Sequence, residues 1–137
     1  VTKLSNRPCF TLTEKDTLKT ASEKLQKHNV GIMPIISEQD KSVIGIISER
    51  DIARYIHRVE FKCDLLISKI MTKNIISCNL NTSVTELMEI ITTNKIRHIP
   101  IIEKTKLLGI VSIGDVVNHI IEQYKNENQH LRDFINQ

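Results

Sequence analysis

The chain carries a near-copy of itself, and that duplication constrains its fold more than any other feature. Residues 30–56 read VGIMPIISEQDKSVIGIISERDIARYI, and residues 96–120 read IRHIPIIEKTKLLGIVSIGDVVNHI. Pro34, Ile35 and Ile36 recur as Pro100, Ile101 and Ile102, 66 positions later. Gly45, Ile46, Ser48 and Asp51 recur as Gly109, Ile110, Ser112 and Asp115, 64 positions later. The two missing residues fall in the polar stretch between the blocks, where a hairpin turn can shorten without disturbing its strands. A duplication of this size places function in two related sites or in the seam between two halves.

Each half reads strand, helix, strand, strand, helix, which makes an α/β chain of two βαββα repeats. In the first half, Phe10 to Leu12 forms a short strand. Asp16 or Thr17 then caps a helix with Leu18, Ala21, Leu25 and His28 on one side. Residues 31–36 are a nearly unbroken apolar strand, 37–42 a polar turn, and 43–47 the returning strand. Ser48 opens a helix through Ile52, Tyr55 and Ile56. The second half repeats this order with a strand at 74–78 and a helix started by Ser83. A strand pair follows at 97–102 and 106–111, then a last helix opened by Ser112. That helix carries a core stripe of Val116, Val117, Ile120, Ile121 and Tyr124. The expected organisation is repeat 1 over 7–59, a connector over 60–73 with a helical turn at 65–71, repeat 2 over 74–124, and a helical tail over 125–137. At about 60 residues neither half buries enough surface to be secure alone. The two sheets should therefore pack face to face about a pseudo-twofold axis.

Composition narrows the class of protein. Hydrophobic residues are 40% and charged residues 26%, ordinary for a globular domain and unlike a disordered chain. The net charge of +3 is spread without a run of like charges, and aromatics are only 4%, so no nucleic-acid surface is expected. Cys9, Cys63 and Cys78 are odd in number and lack CxxC spacing, which argues for a reducing, cytoplasmic setting over a disulfide or zinc framework. Apolar runs such as 30–36 fall far short of the ~18 residues a membrane span needs, and no signal peptide is read.

The repeated string Gly-Ile-(Ile/Val)-Ser-x-x-Asp has two physical readings. In one, Ser48 and Ser112 cap their helices and Asp51 and Asp115 answer three residues later, a capping box worth roughly 1 kcal/mol per helix. In the other, the helix N-terminus attracts phosphate, the Ser adds a hydroxyl, and the Asp accepts from a ribose diol. Gly45 and Gly109 would then let a ligand approach closely. Spacing alone leaves both open.

The doubled pattern resembles the CBS domain (cystathionine-β-synthase-type repeat), here as a tandem pair or Bateman module. The resemblance runs from about Arg7 to Tyr124, with IMTKNIISC at 70–78 similar to the opening of a second repeat and IRHIPII at 96–102 to its central strand. It implies a regulatory module without catalytic residues or an obligatory cofactor. Its ligand would be an adenosine-containing nucleotide (AMP, ADP or ATP) in the cleft between repeats. Carried over by position, one site would use Ser112 and Asp115 with Ile76, Ile96 and His98, and the other Ser48 and Asp51 with Phe10, Val30 and Ile32.

The two sites differ in charge. Arg97 can pair with phosphate in bidentate fashion, and Gly114 leaves the helix mouth open, whereas the first site has Gly31 and Ile32 and places Glu49 at its mouth. The Asp115 site is therefore the expected occupied one, although Arg97 also reads as a plain solvent-facing strand residue, and Arg97 or Arg50 can serve the opposite repeat's ligand. No HExxH metal spacing, Gly-rich phosphate loop or nucleophile elbow occurs, so neither a metal site nor an enzyme is expected. A nucleotide-sensing module acting in trans on an effector protein leads; a structural dimerisation module with empty clefts is the alternative. Leu131, Phe134 and Ile135 form a second apolar stripe beyond the repeat, so a homodimer through the repeat faces and the C-terminal helix is expected.

Overall fold

The computed structural model of the chain describes residues 9–58 and 61–135. It is a mixed α/β protein of two small sheets and four helices, in the order β1 (Leu12–Thr13), α1 (Leu18–Lys27), β2 (Ile32–Ile36), β3 (Val43–Ser48), α2 (Glu49–Ile56), α3 (Val84–Asn94), β4 (His98–Glu103), β5 (Lys106–Ser112) and α4 (Ile113–Ile135). A short 3-10 turn at Ile67–Lys69 occupies the connector. The expected boundaries at residues 7, 59 and 60 and the last two residues of the tail lie outside the described residues.

The internal duplication is visible in the hydrogen-bond register. Pro34 faces Ile46 and Ile35 faces Gly45 across β2 and β3; Pro100 faces Ile110 and Ile101 faces Gly109 across β4 and β5. Both ladders slip at the same place, between Ile35 and Ile36 and between Ile101 and Ile102. The offset changes only at the tips. Ser37 and Ser42 close a longer turn, while β4 and β5 are joined by Lys104 and Thr105 alone, both with positive φ (48° and 75°). Two consecutive residues in that region make the tight turn that matches strand twist, normally built from Asn and Gly.

The proline of each repeat sets the length of the strand beside it. β1 runs parallel to β2 with Leu12 opposite Ile35, and in the second half Cys78 pairs with Ile101 as a single bridge. Cys78 donates to the Pro100 carbonyl at 3.0 Å and accepts from the Ile102 amide at 2.8 Å. The next parallel bond would need an N–H from Pro100, which has none. The strand expected over 74–78 therefore contracts to Cys78, and the one expected at 10–12 begins only at Leu12. Phe10 and Ile76 stand just outside their ladders, each 37% exposed.

Each half builds its own core against its helices. Leu12, Ala21, Leu25, Met33, Ile35, Ile47 and Ile67 form one cluster, and Cys78, Leu87, Ile91, Ile99, Ile101, Val111 and Val116 the other. Ile67 brings the connector into the first core, and Ile46 exchanges two backbone bonds with Thr72 of that connector. Gly45 makes room for the connector here: a Cβ at this position would stand 2.9 Å from Cγ of Met71. The halves also meet at their hairpin tips, where the Val43 amide donates to the Thr105 carbonyl at 3.0 Å and Lys106 Nζ donates to the Asp40 carbonyl.

The last helix departs from the expected core stripe. Val116 is fully buried, but Val117, Ile120, Ile121 and Tyr124 are 41%, 42%, 45% and 65% exposed. Periodicity located the apolar face correctly, yet only its first turn packs on the chain's own sheet. No helix among the described residues is long and apolar enough to cross a membrane.

Candidate functional site

Both repeated Ser-x-x-Asp strings fold into capping boxes. Ser48 Oγ accepts from the Asp51 amide at 3.1 Å while Asp51 Oδ2 accepts from the Ser48 amide at 3.0 Å. Ser112 and Asp115 repeat the exchange at 3.1 and 2.9 Å. The first helical amide is also committed, Glu49 donating to the Gly31 carbonyl at 2.9 Å and Ile113 to the Arg97 carbonyl at 2.8 Å. Of the four amides a helix start leaves unsatisfied, three are used in each case, and those of Arg50 and Gly114 remain. Any phosphate near these helices would therefore depend on side-chain cations more than on a cradle of backbone donors. Each Asp holds its cap through Oδ2, and a carboxylate has lone pairs for further partners, so capping and ribose recognition are compatible.

The strands carry the other candidates to these helix starts. Ile32 is the cross-strand partner of Ser48, and His98 that of Ser112. Gly31 and Arg97 are tied by their carbonyls to Glu49 and Ile113. Asp51, Ser48, Asp115 and Ser112 are half-buried, and the Arg97 side chain is exposed. Near the first helix start, a Cβ built on Gly31 would lie 3.9 Å from the Glu49 carboxylate, so an acid stands where the second repeat has Ile113.

A cavity of about 310 Å³ opens between the halves, lined by Cys9, Phe10, His28, Asn29, Val30, Gly31 and Ile32 from the first and by His98 and Ile110 from the second. It unites the expected wall of one site (Phe10, Val30, Ile32) with His98, which the sequence placed in the other. Phe10 is available because Pro34 ends the ladder before it. Its ring stacks on the His28 imidazole with centroids 3.6 Å apart and planes 11° from parallel. Burial pushes the Cys9 thiol upward, which keeps it neutral and a poor nucleophile. Ile76, Ile96, Arg97, Ser112 and Asp115 do not line this cavity. Asp51 lines a separate depression of about 210 Å³ with Arg54, Tyr55, Arg58 and Lys69.

Sequence reasoning missed Cys9, His28, Asn29 and Ile110 as lining residues. His28 ends α1, and Asn29 follows it in the left-handed region (φ 53°); no motif marks them. Ile110 had a signal, since it is the repeat counterpart of Ile46, yet Ile46 is covered by Thr72 while Ile110 faces the cavity. Among the described residues no group of three or more His, Cys, Asp or Glu is placed to hold a metal ion.

Comparison with known proteins gives this architecture its kinship. A sequence model of the CBS domain matches residues 1–58 and 67–122. The chain is 34% identical over 127 residues to the mitochondrial CBS domain-containing protein CBSX3 of Arabidopsis thaliana, covering 90% of this chain and 62% of that protein. It is 32% identical over 123 residues to an uncharacterised 17.7 kDa protein of Acidianus ambivalens, covering 89% of this chain and 73% of that one. Among solved structures, a CBS-domain protein from Agrobacterium tumefaciens aligns with a TM-score of 0.74 at 34% identity, over 82% of this chain and 84% of the other. A CBS domain pair in complex with 5′-methylthioadenosine and S-adenosyl-L-methionine shares the fold with a TM-score of 0.78 at 24% identity, over 90% of this chain and 96% of its own. The chain belongs to the CBS domain family, as two repeats in tandem.

Proposed function

We propose that this pair binds an adenosine-containing nucleotide between its repeats and, by favouring one arrangement of the module, regulates an effector protein in trans. The observation that carries this reading is the cavity of about 310 Å³ walled by both halves, at the lower end of the range for small-molecule sites. Its lining is apolar with a few polar groups, and the stacked Phe10–His28 pair offers a flat surface to a purine. His98 and Ile32 connect the cavity to the two Ser-x-x-Asp helix starts by direct cross-strand pairing. Either Asp would take the ribose, and charge favours the Asp115 end, where Arg97 offers a guanidinium to phosphate and Gly114 leaves room. At the Asp51 end Glu49 repels it. Regulation follows if the ligand binds one arrangement of the repeats more tightly than another.

A second reading, a structural module with unfilled clefts, draws on the capping boxes, which account for both Ser–Asp pairs without a ligand. Calorimetry with AMP, ADP, ATP and S-adenosylmethionine decides between them. Asp115→Ala should cost a ten- to a hundredfold in nucleotide affinity, as expected for charged hydrogen bonds of ~1.5–3 kcal/mol, and should also lower the melting temperature through the lost cap. Asp51→Ala should lower the melting temperature similarly with a smaller effect on binding. If the Asp115 variant loses stability alone and binds as the parent does, the capping role is its whole role.

A further inference from the structure

We infer that the depression beside the end of α2 is an anion site, built for a small phosphate dianion (inorganic phosphate or a short phosphate monoester) and separate from the cavity between the halves. The chain's net charge is +3, and residues 50–73 alone hold six Lys or Arg against three Asp or Glu. The whole excess therefore lies in α2 and the connector. Arg54, Arg58 and Lys69 bring part of it together around a hollow of about 210 Å³, with Asp51, Tyr55 and Ile70 completing the lining. Arg54 belongs to α2 and Arg58 follows its end, while Lys69 closes the 3-10 turn that the buried Ile67 pins to the first core. Tyr55 is buried, and the Arg58 guanidinium lies 5.8 Å from its ring centroid, a contact that holds this cation at the wall.

The duplication shows that the fold does not need these cations. At the offset of 64, Arg50, Arg54 and Arg58 correspond to Gly114, Asn118 and Glu122, yet the second repeat opens its helix with the same cap. Among the described residues the ion pair is Lys15 with Glu38, and no carboxylate pairs with Arg54, Arg58 or Lys69. Asp51, the one acid in the lining, holds the Ser48 amide through Oδ2 at 3.0 Å and stands at the far end of α2 from Arg58. Size and charge then select the ligand. A hollow of about 210 Å³ is smaller than the roughly 300–1,000 Å³ of sites that enclose drug-sized molecules, so it suits a phosphate group and not a purine nucleotide. Guanidinium forks meet phosphate oxygens in pairs, and a Lys adds a point charge. Arg54 also answers the partial negative charge at the C-terminus of α2, a role whose loss would register in stability and not in binding.

NMR on the full chain, following the Nε–Hε signals of Arg54 and Arg58 and the amides of Lys69 and Ile70, tests the site. The titrant is sodium phosphate at constant ionic strength, with sodium chloride as its control. All four signals should shift and saturate with phosphate, and stay in place with chloride. Arg54→Gln with Arg58→Gln should weaken the phosphate response of the Lys69 and Ile70 amides by about tenfold or more, through the loss of two charge-assisted contacts. A cooperative melt shows that this variant still folds. Arg97→Ala, Asp115→Ala and saturating adenosine should leave the Arg54 and Arg58 shifts unchanged, which keeps the failure of this inference distinct from that of the nucleotide reading. Shifts that grow without saturation, or that chloride reproduces, would reduce the site to the screening of an exposed basic surface. An amide response that survives the double Gln variant, or one that disappears with Arg97→Ala, would overturn the inference as well. So would a double variant that loses stability and binds phosphate as the parent does, since its arginines would then serve only the helix end.

Discussion

The two repeats agree where their strands are packed and where Ser and Asp cap a helix, and disagree in their hairpin turns and in the length of their second helices. Pro34 faces Ile46 as Pro100 faces Ile110, and both ladders slip one residue further along. Met33, Ile35 and Ile47 have their counterparts in Ile99, Ile101 and Val111, all with no exposed surface. Beyond the strands and these caps the halves diverge. The first repeat has Gly31, Glu49, a six-residue turn and an eight-residue second helix; the second has Arg97, Ile113, a two-residue turn and a helix of 23 residues. Packing tolerates few substitutions in the strands, so the duplicated units remain alike there. The ends bear little core, so they were free to acquire different charge and reach. On the proposed reading the second repeat's charge sets the binding preference, while the connector packs beside the first repeat.

The strongest way to break that comparison is to remove its charge. Arg97→Ala should weaken ATP or AMP by roughly ten- to a hundredfold and adenosine little, since a bidentate guanidinium–phosphate pair is a charge-assisted interaction of ~1.5–3 kcal/mol. Titration calorimetry with the three ligands separates the cases. Equal losses for adenosine and ATP would place Arg97 outside the phosphate's reach, and two sites of matched affinity in the parent would end the claim of asymmetry.

Much of this arrangement was legible in the sequence because it is encoded locally. The offset of 66 in one strand and 64 in the next placed the change of length in the hairpin turn, and Ser at a helix start with Asp three residues later gave the capping boxes seen at Ser48 and Ser112; Ser83, read only as a helix start, forms a third with Glu86. Three features were not legible. The cavity is assembled from residues about 70 to 100 positions apart, and His28 and Asn29 acquire their place from where α1 happens to end. Gly45 was read as room for a ligand, but the group that approaches it is Met71, a contact that exists only after the connector folds back. The apolar stripe of α4 was read as core because periodicity reports which face is apolar and says nothing of what covers it.

Met71 against Gly45 supplies the next largest effect. Gly45→Ala should destabilise the protein by about 1–3 kcal/mol, the usual range for overpacking a filled site, because both Cγ and Cβ of Met71 lie within contact of the added methyl. Met71→Ala should relieve most of that penalty, so the double variant falls well short of additivity in urea denaturation. Additive losses would mean that the methyl strains something other than Met71.

A smaller difference lies in the left-handed residues. Asn29 (φ 53°) follows α1, and Lys95 (φ 54°) occupies the matching place after α3. Asn tolerates this region and Lys does not, so Lys95→Gly should stabilise the second repeat by about 0.5–1 kcal/mol. Thr105, β-branched at φ 75°, should gain a similar amount on replacement by Gly. An unchanged or lowered denaturation midpoint for both variants would show that the second repeat carries no such strain.

The smallest expected effect concerns the hairpin tips and acid. Asp40 Oδ1 accepts from the Ser42 hydroxyl at 2.7 Å and from its amide at 3.0 Å. Those bonds, with the Lys106 charge nearby, hold the Asp40 carboxyl below its ordinary value. A carboxylate with a depressed folded-state pKa contributes stability above its unfolded value, and that contribution is lost as pH falls through the folded pKa. The turn of the first hairpin should therefore loosen on acidification below the ordinary aspartate range. The Lys104–Thr105 turn has no carboxylate at its centre and should not loosen by this route. Glu38, held down by Lys15, is lowered in the same direction, so Asp40→Asn is the needed control, since it keeps an acceptor and removes the proton equilibrium. Amide exchange at Ser42 and Val43 reads the result directly, Val43 being the donor to Thr105 that ties the two tips together. Protection of both amides should drop with acid in the parent and stay level in the Asn variant. An identical acid step in both proteins would assign the loosening to Glu38, and the first tip would then owe its shape to that residue rather than to Asp40.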